Sequence, residues 1–227
     1  MTTSTAVDIA ANLRVIRERV ARAAARAGRD PASITLVGAS KTVPAEVITQ
    51  ALEAGLRHFG ENFVQEAQDK LARLGAVESR PTWHLIGHLQ TNKVNAALRL
   101  FDVVQTVDSL RLGQALARRA SRPVQVLVEV NVADEASKEG VAPGEVPDLV
   151  AALRELPNLV VTGLMTVAPI ASDPEAARPV FRRLRELRDA CGLTELSMGM
   201  TDDFEAAIEE GATLVRIGRA IFGARPQ

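Results

Sequence analysis

Two rhythms alternate along the chain: short apolar runs that stop at Gly, Asn or Ser, and longer segments in which apolar residues recur every three to four positions. The first reads as buried strand and the second as amphipathic helix. Strand runs fall near Ile34–Ala39, Arg57–Gly60, Trp83–Ile86, Val103–Thr106, Val124–Asn131, Val160–Met165, Glu195–Met198 and Thr213–Ile217. Helical segments follow at Ala45–Ala54, Asn62–Leu74, Thr91–Leu100, Ser109–Ala120, Glu145–Leu156, Pro174–Ala190 and Asp203–Glu210. This alternation predicts an α/β fold, a single (β/α)8 TIM barrel with residues 1–227 as one domain. Periodicity reports which elements alternate and not their order in space, so a doubly wound open sheet stands as the alternative.

One helix precedes the barrel, with Ile9, Leu13, Ile16 and Val20 on its apolar stripe. Arg14, Arg17, Arg19 and Arg22 lie largely off that stripe and read as a solvated face, or less simply as a partner surface. Two stretches, Ala133–Gly144 and Ala168–Pro174, are long enough to be functional loops on the face of a barrel that carries its active site.

With 227 residues and 47% hydrophobic content, a full core can be buried. A formal net charge of −1 provides no field to attract nucleic acid or anionic membrane, so neither is an expected partner. The single cysteine, Cys191, cannot form an internal disulfide, and no apolar leader is evident, which points to the reducing cytoplasm. No stretch approaches the roughly 20 apolar residues that cross a bilayer. Tyrosine is absent, which leaves His58, His84, His88 and Cys191 as the other obvious proton carriers.

In a barrel, the residues at the C-terminal ends of different strands converge on one mouth. Lys41 stands at such an end, before the turn Thr42-Val43-Pro44. Burial there would lower its pKa, and a neutral amine attacks an aldehyde to form a Schiff base; a solvated turn lysine is the plainer reading. Ser197-Met198-Gly199-Met200-Thr201-Asp202-Asp203 follows the seventh strand and enters a helix, the setting of a phosphate site, with Gly218 and Arg219 contributing after the eighth strand. Ordinary capping, with Thr201 or Asp202 as N-cap and Glu205 completing a capping box, explains the same residues.

Arg216 interrupts an apolar strand and must meet a buried carboxylate or a ligand. Facing a pyridine nitrogen, it would keep that nitrogen unprotonated. Met165 could pack on a flat ring or simply belong to the core. His84 and His88 are separated by a strand-to-turn pattern, so a helical zinc pair, and metal in general, is not expected.

Six fragments then resemble one family in order and over nearly the whole chain. They are Val37-Gly38-Ala39-Ser40-Lys41-Thr42, His58-Phe59-Gly60-Glu61-Asn62, Trp83-His84-Leu85-Ile86-Gly87-His88-Leu89-Gln90, Gly163-Leu164-Met165-Thr166, Ser197-Met198-Gly199-Met200 and Val215-Arg216-Ile217-Gly218. Together they resemble the YggS/PROSC family of pyridoxal phosphate homeostasis proteins. The resemblance implies a barrel similar to the barrel domain of alanine racemase, with pyridoxal 5'-phosphate held on Lys41 as a Schiff base. It implies a role in vitamin B6 and amino-acid homeostasis, without established catalysis. Ser197, Gly199 and Gly218 would bind the phosphate, Arg216 would meet the cofactor, and Asn62 and Met165 would line its ring. The expected cofactor-binding set is Lys41, Asn62, His84, Met165, Ser197, Met198, Gly199, Thr201, Arg216, Gly218 and Arg219, with no catalytic residue assigned. Arg219 departs from the pattern, because many relatives carry a small hydroxyl residue there; Thr201 keeps the hydroxyl.

Apo-forms of pyridoxal phosphate enzymes are the partners this implies, and a monomer is expected. A pyridoxal phosphate racemase or lyase is the competing function, although racemases similar to this barrel use a tyrosine and a second domain. A Schiff-base aldolase acting on sugar phosphates would need the same lysine and phosphate site.

Overall fold

The computed structural model describes residues 7–75, 80–133, 139–169 and 173–223. Eight parallel strands close into a barrel in sequence order, with β1 (Thr35–Ala39) hydrogen-bonded to both β2 (His58–Glu61) and β8 (Leu214–Ile217). Between these lie β3 (Thr82–Leu85), β4 (Val103–Val107), β5 (Val124–Glu129), β6 (Leu159–Met165) and β7 (Glu195–Ser197). The β1–β8 pairing rules out the open sheet.

The barrel is wrapped by α2 (Ala45–Glu53), α3 (Val64–Leu74), α4 (Val94–Leu100), α5 (Leu110–Arg119), α6 (Val146–Arg154), α7 (Arg178–Ala190) and α8 (Phe204–Glu209). α1 (Ile9–Arg26) precedes β1, and a short α9 (Arg219–Phe222) follows β8; the sequence reading had no counterpart for α9. No described helix is long and apolar enough to cross a membrane.

Side chains alternate in direction along a strand, and that parity separates two interiors. Phe59, Trp83, Leu85, Val104, Val126, Val128, Leu164, Leu196, Val215 and Ile217 join the main core between strands and helices. Their neighbours in sequence point the other way, into the barrel. Val103, Leu127 and Met165 form a separate small apolar cluster there, and His58, His84, Gln105, Glu129, Ser197 and Arg216 share that inward parity.

The arginines of α1 are not merely solvated. Arg17 donates to the carbonyls of Ala54 and Gly55 just past α2. Arg19 and Arg26 pair with Glu205, and Arg26 also with Glu209, so α1 is fastened to α8 by charge as well as by its apolar stripe. The two long loops expected at 133–144 and 168–174 lie partly outside the described residues.

Candidate functional site

A cavity of about 640 Å³ opens where the loops after β1, β7 and β8 meet. Lys41, Thr201, Arg216, Gly218 and Arg219 line it, and thus five of the expected site residues come together on one surface. Val43, Val47 and Phe222 supply an apolar wall. The charged side chains on the lining are Lys41, Arg216, Arg219 and Asp202, three cations to one anion, which suits a ligand carrying a dianion. Gly218 keeps the wall thin: a Cβ there would lie 3.1 Å from the carbonyl oxygen of Ala39.

Arg219 crosses from the β8 loop to the β7 loop and donates Nη2 to both carboxylate oxygens of Asp202, at 2.6 and 2.7 Å. The pair is exposed on both sides and bridges the two loops at the cavity rim. Asp202 is therefore not an N-cap. Asp203 occupies that position and accepts from the amide of Met200, while Glu205 faces Arg19 and Arg26, so the expected capping box does not form.

Arg216 is buried at the cavity floor. Its Nη1 donates to Ser197 Oγ at 2.7 Å and its Nη2 to the carbonyl of Thr166 at 2.8 Å. Burial lowers its pKa to about 10, opposed by the charges of Glu129 and Asp203. The guanidinium remains a cation at neutral pH.

Ser197 passes the arrangement on. Its hydroxyl accepts from Arg216 and donates to Gln105 Oε1 at 2.6 Å. Gln105 Oε1 being an acceptor, its Nε2 faces His84 Nδ1 at 2.9 Å as the donor, and His84 Nε2–H donates to His58 Nδ1 at 3.0 Å. A polarised chain of side chains thus runs through the barrel from Arg216 on β8 to His58 on β2. Burial holds both imidazoles neutral, pushing His84 down to about 3 and lowering His58.

Six expected residues do not line the cavity. The hydroxyl of Ser197 is fully buried and engaged by Arg216 and Gln105. His84 is buried with both ring nitrogens occupied. Met165 belongs to the apolar cluster inside the barrel, and Met198, of opposite parity to Ser197, to the main core. Gly199 has a φ of 90°, and a Cβ there would lie 2.5 Å from that of Ala207, so a glycine is required for close packing on α8. Asn62 presses its backbone against Gly87.

Other polar groups lie outside the expected cofactor-binding set. Glu129, at the end of β5, has a buried Oε2 without a partner. Burial raises its pKa from 4.5 to about 7 despite the attraction of Arg216. Glu61, Glu66 and Lys70 cluster beside the Lys41 turn. Among the described residues, His88, Asp108 and Glu139 offer ligand-capable atoms within 4.8 Å of one another, although His88 and Glu139 are exposed.

A family model described as the alanine racemase N-terminal domain matches residues 8–226. The pyridoxal phosphate homeostasis protein of Pseudomonas aeruginosa is 46% identical over 222 residues, covering 96% of this chain and 96% of its own. The chain belongs to the pyridoxal phosphate homeostasis protein family. The family member of Escherichia coli K12 is 43% identical over 229 residues, covering 96% of this chain and 97% of its own. Among solved structures, PipY of Synechococcus elongatus, determined with pyridoxal phosphate bound, superposes with a TM-score of 0.83 at 35% identity, covering 95% of this chain and all of that one. Alanine racemase from Corynebacterium glutamicum shares the barrel, with a TM-score of 0.73 at 19% identity over 95% of this chain and 61% of the racemase.

Proposed function

We propose that this chain is a single cofactor-binding domain that holds pyridoxal 5'-phosphate with Lys41 as its covalent anchor and acts in vitamin B6 homeostasis. The observation that carries the reading is one cavity lined by a primary amine, a buried guanidinium and the loops after β7 and β8. The PLP-bound PipY relative supports the choice of cofactor. The residues present fit the group: the apolar wall suits a flat ring and the cationic excess suits a phosphate.

Bound there, pyridoxal phosphate supplies an aldehyde that condenses with an amine and a ring that can spread negative charge. Lys41 presents the amine from the end of β1. Thr201, Gly218 and Arg219 hold the phosphate end, through a hydroxyl and the backbone after β8, while the Arg219 side chain pairs with Asp202 at the rim. Arg216, kept charged and fixed by Ser197 and Thr166, faces the ring from the floor and disfavours a proton on a nearby ring nitrogen. These roles suit retention and delivery of the cofactor to apo-enzymes better than turnover of amino acids. One half-buried thiol, Cys191, and no described membrane-spanning helix are compatible with a cytoplasmic setting.

The test is an absorption spectrum of the purified chain with pyridoxal phosphate, followed by borohydride reduction and peptide mapping. A pyridoxyl mass on the peptide containing Lys41 is expected. Lys41→Ala retaining the same absorption and a reducible adduct would overturn the assignment.

A further inference from the structure

The two residues that flank Lys41 are held by one buried charged cluster from the neighbouring β2–α3 unit. On the N-terminal side, Ser40 is fully buried; its hydroxyl donates to Glu61 Oε1 at 2.6 Å and its carbonyl accepts from Lys70 Nζ at 2.7 Å. On the C-terminal side, the amide of Thr42 donates to Glu66 Oε1. Lys70 joins the two halves, donating to Glu61 Oε1 at 2.6 Å and to Glu66 Oε1 at 3.2 Å.

With Ser40, Glu61 and Glu66 as acceptors, the three donors of the Lys70 ammonium are all engaged, so its direction is fixed. Its position is unusual for a lysine. It continues the buried face of α3 begun by Val64 and Ala67, where an apolar residue would cost less. Thr42, meanwhile, has a φ of 64°, a left-handed conformation that a β-branched residue rarely adopts unless its surroundings impose it. Thr42 is the third residue of a turn closed by the Val43 amide, which donates to the Ser40 carbonyl at 2.9 Å, and the Glu66 carboxylate holds the Thr42 amide within that turn.

We infer that Lys70, with Glu61 and Glu66, is a positioning residue for Lys41: the cluster clamps the peptide on both sides of that lysine and sets the direction in which its amine enters the cavity. The inference rests on the reading of Lys41 as the covalent anchor. It assigns a function to a buried ion pair outside the cavity lining. Displacing a reacting group by about 1 Å can lower a rate by about a hundredfold, so the loss of one side of the clamp should be visible in the capture of an aldehyde.

The experiment uses the apo-form of the full chain, with Glu66→Ala and Lys70→Met variants. Stopped-flow absorbance gives the rate at which each captures pyridoxal phosphate, and calorimetry gives affinity for pyridoxine 5'-phosphate, which has the ring and the phosphate but no aldehyde. Glu66→Ala removes the Thr42 acceptor from a partly exposed position and should fold. It is expected to capture the aldehyde about tenfold more slowly or worse, while its affinity for pyridoxine 5'-phosphate stays within about twofold. Glu66→Gln, which keeps an oxygen acceptor for Thr42, is expected to restore most of the rate. Lys70→Met is expected to slow capture further, and if it does not fold, the Glu66 pair decides alone. Native capture rates in Glu66→Ala would overturn the inference, as would equal losses for both ligands, which mark a general disturbance of the cavity. If the native chain binds pyridoxine 5'-phosphate yet captures no aldehyde, the reading of Lys41 fails, and this inference fails with it.

Discussion

Arg216 Nη1 donates to Ser197 Oγ at 2.7 Å, which ties the inward-facing serine to the guanidinium at the cavity floor. Ser197→Ala therefore leaves a buried guanidinium donor and Gln105 Oε1 short of a partner. An unsatisfied buried polar group costs about 1 to 3 kcal/mol, and the variant should lose that much in urea unfolding. Any effect on ligand binding should act through Arg216 and weaken pyridoxal and pyridoxal phosphate alike. A loss confined to the phosphorylated ligand would return Ser197 to the role of phosphate contact.

Thr201, unlike Ser197, lines the cavity. A hydrogen bond to a charged group is worth about 1.5 to 3 kcal/mol, equivalent to roughly ten- to hundredfold in affinity. Thr201→Ala should lower affinity for pyridoxal phosphate by that factor and leave pyridoxal nearly unchanged, as measured by equilibrium titration. Equal affinities for native and variant protein would locate the phosphate elsewhere.

The contrast between Ser197 and Thr201 shows what was legible in the sequence. The barrel was legible, because the eight apolar runs and the helical stripes between them are set by burial on two faces, a local property of the pattern. Lys41, Thr201, Gly218 and Arg219 were legible as cavity-lining residues because each follows a strand, and Arg216 because it interrupts one. Parity was the missing step. Counting from the outward-facing Leu196 and Val215 turns Met198 into the core and Ser197 and Arg216 into the barrel. The Lys70 clamp left a fainter trace: a lysine three positions after Ala67 on a buried stripe, and a glutamate inside β2. Their partners are set by packing across elements, which no local pattern reports. Gln105 gave the same kind of sign, an amide within a strand whose five residues are all buried.

Glu129 makes stability depend on pH. Its folded-state pKa is raised from 4.5 to about 7 by burial, so between those values the folded chain binds more protons than the unfolded one. Stability conferred by the neutral carboxyl is present at the acidic end of that window and is lost as pH rises through about 7. Glu129→Gln keeps the shape without the charge and should be the more stable protein at pH 8, by up to roughly 3 kcal/mol, with the advantage shrinking towards pH 4.5. Urea unfolding of both proteins across that range isolates the group, since the other titrating side chains are common to both. A stability difference that does not vary with pH would refute the account.

Amino-acid turnover should be negligible, for two reasons that act on different steps. In the proposed binding mode, the Arg216 cation buried at the cavity floor would disfavour the protonated ring that makes pyridoxal phosphate an effective electron sink. Racemisation also needs a second proton carrier opposite the lysine, and the chain contains no tyrosine. Glu129, on the strand across the barrel from β1, has its pKa raised to about 7, yet its carboxyl is held in the field of Arg216. General acid or base assistance is worth about 10² to 10⁴ in rate, so a displaced or mispaired proton carrier is enough to suppress the reaction. Holo-protein incubated with L- and D-amino acids in deuterated water should show no α-proton exchange at enzyme rates by NMR. Exchange faster than about 1 per second that disappears in both Lys41→Ala and Glu129→Gln would make this barrel a racemase-like enzyme, with Glu129 in the place of the missing phenol.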